Sequence, residues 1–299
     1  MCGFIHWRNP GVGAAVVIFD DHDRILLVKR AKGATRPGLW SIPAGFVDYG
    51  ESVEQAVHRE VVNTRTSLGL LDASTLGKLV VKGPDAGRFL DMMYTNMMST
   101  LKPGKCRYGL MCSENGFLID DGVVARIDED TFLCHTTTGG AERIHGHMEE
   151  WLQTEWWDLK VHTANLTEQY AQIAVVGPKA RKVLEALGGM DVSKENLPFM
   201  QWIEGELAGI PARIFRISFS GEHAYELAVP ARYGDSLFRE LVARAEGLGG
   251  GPYGMEALNV LRIEKGFITH SEITGRVTAF DCGMERMVSA KKDCVGKTM

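Results

Sequence analysis

Three sets of acidic residues in this chain of 299 have spacings that could do chemistry. Asp120 and Asp121 stand side by side in FLIDDGVVAR. Neighbours in an extended segment point to opposite faces, so one of the two can enter a site while the other serves the fold. Glu222 and Glu226 lie four apart in SGEHAYE, and on a regular strand that even spacing sets both on one face. Glu60 is the acid in an otherwise apolar helical stripe of Val53, Ala56, Val57 and Val61. A carboxylate can accept paired N–H groups from a ligand's donor edge. It can also support a developing cation or take a proton, or ligate Mg²⁺. Competing metal chemistry is poorly served. The nine histidines show no HxxxH spacing, and Cys2, Cys106, Cys112, Cys134, Cys282 and Cys294 contain no CxxC pair. Those six cysteines read as free, partly buried thiols in a reducing cytosol.

The elements that must position these acids form a mixed α+β pattern. Near the N-terminus, 13–19 and 24–29 read as strands around the turn DDHD. Ser52 caps a helix, with Gln55 at capping-box spacing. Further on, strands are expected at 76–82, 131–137, 171–177, 205–218 and 223–229. Helices are expected at 84–93, 141–153 and 178–187, and near 231–245 and 254–265. Asp120-Asp121 reads as a turn leading into the strand GVVAR. The stretch GLGGGP at 247–252 is a flexible break too short for a domain linker. Tyr94, Tyr108 and Tyr253 read as core, with the walls of a flat ligand site as the other reading. Met92, Met93, Met97 and Met98 read as adaptable packing.

Composition bounds the rest. With 45% hydrophobic and 24% charged residues the chain is ordinary for a globular protein, and there is room for two domains. A net charge of −5 gives no basic footprint for nucleic acid. No apolar run is long enough to span a bilayer, and MCGFIHWRNP lacks the features of a signal peptide. A cytoplasmic protein with no membrane or nucleic-acid partner is expected.

Two family resemblances divide the sequence. Residues 45–61, GFVDYGESVEQAVHREV, together with the upstream GLWSIPAGF, resemble the Nudix hydrolase box through Gly45, Glu51, Arg59, Glu60 and Val61. In that family a loop and helix hold Mg²⁺ against a diphosphate, and two further glutamates follow one turn later. Asn63 and Thr64 stand at those places here, and Ser67 or Thr66 replaces the closing glycine. The resemblance therefore implies a partial segment over 1–61, a half-Nudix β-hairpin and helix. Glu60 is its incomplete metal site, and Mg²⁺ enters only if the remnant is active. A Mg-dependent diphosphatase is the alternative activity.

From about residue 59 the chain resembles the folate-binding, aminomethyltransferase-like family of the glycine-cleavage T-protein, most closely its sarcosine oxidase alpha branch. The motifs that carry this are KCRYGLMCSENGFLIDDGVVAR, HTTTGGAER, EEWLQTEW, VVGPKARKVL, PFMQW, RIFRISFSGEHAYELAVP and LNVLRIEKGF. The resemblance implies a T-protein-like domain over 62–299. It also implies tetrahydrofolate as cofactor, 5,10-methylenetetrahydrofolate formed from an iminium or formaldehyde unit, and other sarcosine oxidase-type subunits as partners. By the same resemblance Glu226 matches the pterin-binding glutamate and Asp121 the catalytic aspartate, while Arg262 matches a folate-contacting arginine. Phe219 replaces the tyrosine of the relatives' YTGE motif, and Asp120 and Glu222 are lesser binding candidates. Read from its own neighbours, Arg262 is instead a helix-surface partner of Glu264 or Glu256. No flavin or NAD fingerprint is seen, since GVGAAV at 11–16 precedes a strand and not a helix. The sequence also stops at KKDCVGKTM, where the family enters a C-terminal barrel that helps enclose folate. A domain lacking that barrel is expected, and a non-catalytic folate-binding remnant is the other alternative.

Overall fold

The structure is a computed structural model that describes residues 52–297 and, before them, four short strand segments. These are β1 (Gly13–Ala15), β2 (Val28–Lys29), β3 (Trp40–Ser41) and β4 (Ala44–Phe46). β1 pairs with β4 and β2 with β3, both antiparallel. The remaining parts of the strands expected at 13–19 and 24–29, and most of the Nudix-like loop, lie outside the described residues.

Helix α1 (Val53–Thr66) begins where the sequence places it. Ser52 Oγ accepts from the Gln55 N–H at 3.3 Å and the Gln55 side chain accepts from the Ser52 N–H at 2.7 Å, a complete capping box. Its buried residues are Ala56, Glu60 and Thr64, one face at four-residue steps.

The rest is built on two sheets. β6 (Gly77–Lys82), β7 (Cys106–Cys112), β8 (Leu118–Arg126), β9 (Thr131–Thr136) and β10 (His162–Asn165) form an antiparallel sheet in the order β10-β6-β9-β8-β7. β5 (Gly69–Asp72), β11 (Tyr170–Val176), β12 (Trp202–Leu207), β13 (Ile210–Phe215), β14 (Ala224–Pro230) and β15 (Gly251–Pro252) form the second, in the order β12-β13-β14-β11-β5-β15. Helices α2 (Ala86–Met93) and α3 (Ala141–Thr154) cover the outer face of the first sheet through Phe89, Leu90, Met93, Ile144 and Met148. Helices α4 (Ala180–Leu187) and α5 (Gly234–Glu246) cover the outer face of the second through Val183, Leu184, Leu187, Leu237 and Leu241. The inner faces meet at Cys106, Ala125 and Leu133 from one side and Phe215 and Ala228 from the other. Beyond that contact, α1 and α6 (Met255–Lys265) cover the inner face of the second sheet. Irregular chain between Ile268 and Val288 packs against the first.

Two local expectations are corrected. The stretch 205–218 is not one strand: it folds back at Ala208 and Gly209, whose φ of 51° and 75° are the paired positive values of a two-residue hairpin turn. Alanine rarely adopts such a φ, which hides the turn from sequence. Asp120 and Asp121 lie not in a turn but within β8, and the actual turn is the preceding SENG, where Gly116 has φ 79°.

Candidate active site

Glu226 sits at a boundary. Along β14, Tyr225, Leu227 and Val229 enter the core with α4 and α5, so Ala224, Glu226 and Ala228 take the inner face. Ala224 belongs to the cluster under α1 and α6, and Ala228 to the contact between the sheets. Glu226 stands between them, paired in register with Ala174 of β11 and Phe215 of β13. The Gln172 Nε2 donates to Glu226 Oε2. Gln172 is fully buried, and its Oε1 has no hydrogen-bond partner among the described residues. Burial pushes the Glu226 carboxyl above its usual range, while the Gln172 hydrogen bond and the charge of Lys78 pull it back.

Asp121 occupies the matching boundary on the first sheet. It shares the inner face of β8 with Val123 and Ala125, which join the contact between the sheets. The Tyr108 hydroxyl donates to Asp121 Oδ2 at 2.7 Å. Burial raises the Asp121 pKa to about 6; the Tyr108 hydrogen bond works against this and the neighbouring Asp120 adds to it. Tyr108 pairs with Val123 in register, which puts it diagonally across the hairpin from Asp121, within an aromatic side chain's reach. It also packs beside Leu110 and Leu118 against the chain that follows Ile268.

Asp120 faces the other way and is 2% exposed. Its Oδ1 accepts from the backbone N–H groups of Asp121 at 3.0 Å and Thr137 at 3.3 Å. A Cβ at Gly140 would collide with its Oδ2. Asp120 thus fastens the TTTGG loop that leads into α3, while Asp121 takes the opposite, inner face.

The other candidate residues are spread around the rim. Glu222 precedes β14 and does not share a strand face with Glu226: it lies in the bend at 220–223 and accepts from Arg65 Nη1 of α1 at 3.4 Å. Arg262 is 6% exposed and donates Nη1 to the Phe267 carbonyl and to Glu272 Oε2, both at 3.0 Å. Its carboxylate partner is thus Glu272, not Glu264 or Glu256, and it ties α6 to the loop that follows. Phe219 stacks on Phe267 with centroids 6.2 Å apart and also packs against the α1–α6 cluster. Glu60 points into the contact between α1 and α6, where its Oε2 accepts from the Gly254 N–H at 2.8 Å. No group of three His, Cys, Asp or Glu residues able to hold a metal ion occurs among the described residues.

The family model described as GCVT N-terminal domain matches residues 26–292. The chain belongs to the GCVT N-terminal domain family. Within this family it is 49% identical over 263 residues to "Sarcosine oxidase subunit alpha" of Corynebacterium sp. (strain U-96), an alignment that takes in 87% of this chain and 27% of that protein. It is 34% identical over 265 residues to "Aminomethyltransferase" of Corynebacterium aurimucosum, covering 87% of this chain and 68% of that protein. The crystal structure of glycine cleavage system aminomethyltransferase T from Bartonella henselae superposes with a TM-score of 0.72 at 26% identity, over 81% of this chain and 64% of that one. The GCVT match takes in the residues that resemble a Nudix box. The chain thus spans about a quarter of the length of the sarcosine oxidase subunit it matches.

Several residues around the two candidate carboxylates did not stand out in the sequence. Gln172, Lys78 and His135 all turn inward from strands. His135 Nδ1 lies 3.0 Å from the Val123 carbonyl and its ring meets Phe215 edge-on at 5.1 Å. Burial, helped by the charge of Lys78, lowers the His135 pKa to about 4. Tyr108 was hidden because a bulge between Met111 and Cys112 shifts the register set by the SENG turn before the strands reach Tyr108 and Asp121. Tyr94 packs behind the first sheet with Phe89 and Met93, as core. No helix among the described residues is long and apolar enough to cross a membrane.

Proposed function

We propose that this chain carries out tetrahydrofolate-dependent one-carbon transfer, the reading favoured by its aminomethyltransferase and sarcosine oxidase alpha relatives. The observation that carries it is the pair of carboxylates, Glu226 and Asp121, that border one contact between two sheets from opposite sides. In this reading Glu226 accepts the N–H groups of the pterin edge. The protein suits such a ligand: beside Glu226 the buried Gln172 Oε1 is an acceptor with no partner among the described residues, a place for a donor-rich edge. Bound tetrahydrofolate supplies the nitrogen that takes up the one-carbon unit. Asp121, held at 2.7 Å by Tyr108 and titrating at about 6, gives electrostatic support to a cationic one-carbon donor and can hold a proton near neutral pH. Arg262 and Phe219 act indirectly, by fixing the 267–272 loop over the inner face. Three relatives are named as sarcosine oxidase alpha subunits, so further subunits are the proposed partners.

The test is methylene transfer from formaldehyde to tetrahydrofolate, followed by absorbance, with Asp121→Asn beside the wild type. A drop in kcat of about 10²-fold or more, with folate affinity within a few-fold, is the expected result for a group acting on the reacting atoms. Wild-type turnover in the variant would remove Asp121 from the mechanism.

A further inference from the structure

Lys78 is 1% exposed, so its ammonium lies inside the protein. Nζ donates to the Leu76 carbonyl at 2.7 Å and the Ser74 carbonyl at 3.1 Å, both in the connection from β5 to β6. An ammonium has three N–H donors, and two of them are used among the described residues. Two routes lead from Lys78 to Glu226. Along the first, Lys78 pairs in register with His135, the His135 ring meets Phe215, and Phe215 pairs with Glu226. Along the second, Lys78 holds the Ser74 carbonyl, the Ser74 hydroxyl accepts from the Gln172 N–H at 3.0 Å, and the Gln172 side chain donates to Glu226. A charge buried this way is retained only where an opposite charge compensates it. Glu226 leads the negative charges that act on Lys78, followed by Asp72 and Glu168.

We propose that Lys78 and Gln172 are a positioning pair for Glu226, in which Gln172 fixes the carboxylate by its amide donor and Lys78 sets a buried positive charge toward it from the facing sheet. The assignment rests on the reading of Glu226 as the ligand-binding carboxylate. The other groups around Glu226 leave this task to the pair. Cys106 of β7 is pushed up to about 12 and Tyr253, ahead of α6, well above its usual range, each mainly by burial and then by Glu226. Both are neutral at neutral pH, and so is His135, at about 4. With Lys78 gone, burial acts on Glu226 unopposed except by Gln172, and the carboxylate takes up a proton closer to neutrality. Lys78 itself loses its proton at about 8, because burial outweighs its acidic neighbours. Ligand binding therefore weakens as pH falls through the Glu226 titration and as it rises past about 8.

The decisive experiment is a ¹³C carboxyl NMR titration of Glu226 in the full chain, labelled at glutamate and assigned with Glu226→Gln. In Lys78→Met the Glu226 midpoint should rise by about one pH unit, and Lys78→Arg should stay near the wild type. An unchanged midpoint in folded Lys78→Met overturns the proposal. If circular dichroism shows that Lys78→Met does not fold, Gln172→Leu takes its place, with the same upward shift expected and the same unchanged midpoint contradicting it. Calorimetry with tetrahydrofolate between pH 6 and 9 adds a functional readout. Lys78→Met should lose more affinity at pH 6 than at pH 8, whereas an equal loss at every pH marks a merely structural lysine and overturns the pair. A wild type that binds no tetrahydrofolate defeats the folate reading, while the NMR titration still decides the pair.

Discussion

Asp121 and Glu226 are carboxylates kept where water would not put them, and both are raised by burial. For Asp121 the shift runs from 3.8 to about 6. A carboxyl raised in the folded state keeps its proton while the unfolded chain has already lost it. Its contribution to stability is therefore fully present below 3.8 and is lost as pH rises to about 6. Asp121→Asn should then stabilise the protein at pH 7.5 by about 1–3 kcal/mol and by far less at pH 4, as read by urea denaturation at the two pH values. Equal gains at both would contradict the burial account. At this scale the sequence was legible where chemistry depends on an unusual acid. SGEHAYE and FLIDDGVVAR show their carboxylates at once, and opposed strand faces separate Asp121 from Asp120. Lys78 and Gln172 were illegible for a physical reason. On a strand with one wet face, alternating polar residues read as solvated, and only the second sheet, distant in sequence, makes that face an interior.

Among the elements, the hairpin of β7 and β8 sets the candidate site, because its register determines which residues join Asp121 on the inner face. Gly122, next to Asp121, lies so close to β9 that a Cβ would run into the His135 carbonyl. Gly122→Ala should force β8 and β9 apart, costing about 2 kcal/mol or more and lowering transfer along with stability. Thermal melts and the formaldehyde assay check both, and a variant of wild-type stability would show that the strands have more room than drawn. The helices were read from sequence to within a few residues, since amphipathic spacing and the Ser52 capping box are local signals. The turn at Ala208 and Gly209 escaped because its backbone demands a conformation that alanine seldom announces.

As a whole molecule the protein is layered, helices outside and two sheets within, with the candidate site where the sheets stop touching each other and begin to touch α6 and the chain beyond Ile268. The α+β class was legible from alternating periodicities, but the face-to-face meeting of the sheets was not, because it joins strands far apart in sequence. That meeting buries His135 and lowers its pKa from 6.5 to about 4. A histidine depressed in this way is neutral in the folded protein while the unfolded chain takes up a proton, so its contribution is lost as pH falls from 6.5 toward 4. The stability difference between wild type and His135→Asn should therefore change steadily over that interval in the wild type's disfavour, and be constant above pH 7. A difference independent of pH would mean that His135 is not buried between the sheets.

The central claim is that Glu226 anchors a folate on the inner face of the second sheet. Calorimetric titration of tetrahydrofolate into the wild type and Glu226→Gln under anaerobic conditions tests it most directly. Saturable binding to the wild type, weakened about 30-fold or more in the variant, is the predicted result for loss of a buried charge-assisted contact. Equal affinities would place the ligand elsewhere, and a folded wild type that takes up no tetrahydrofolate would contradict the account outright.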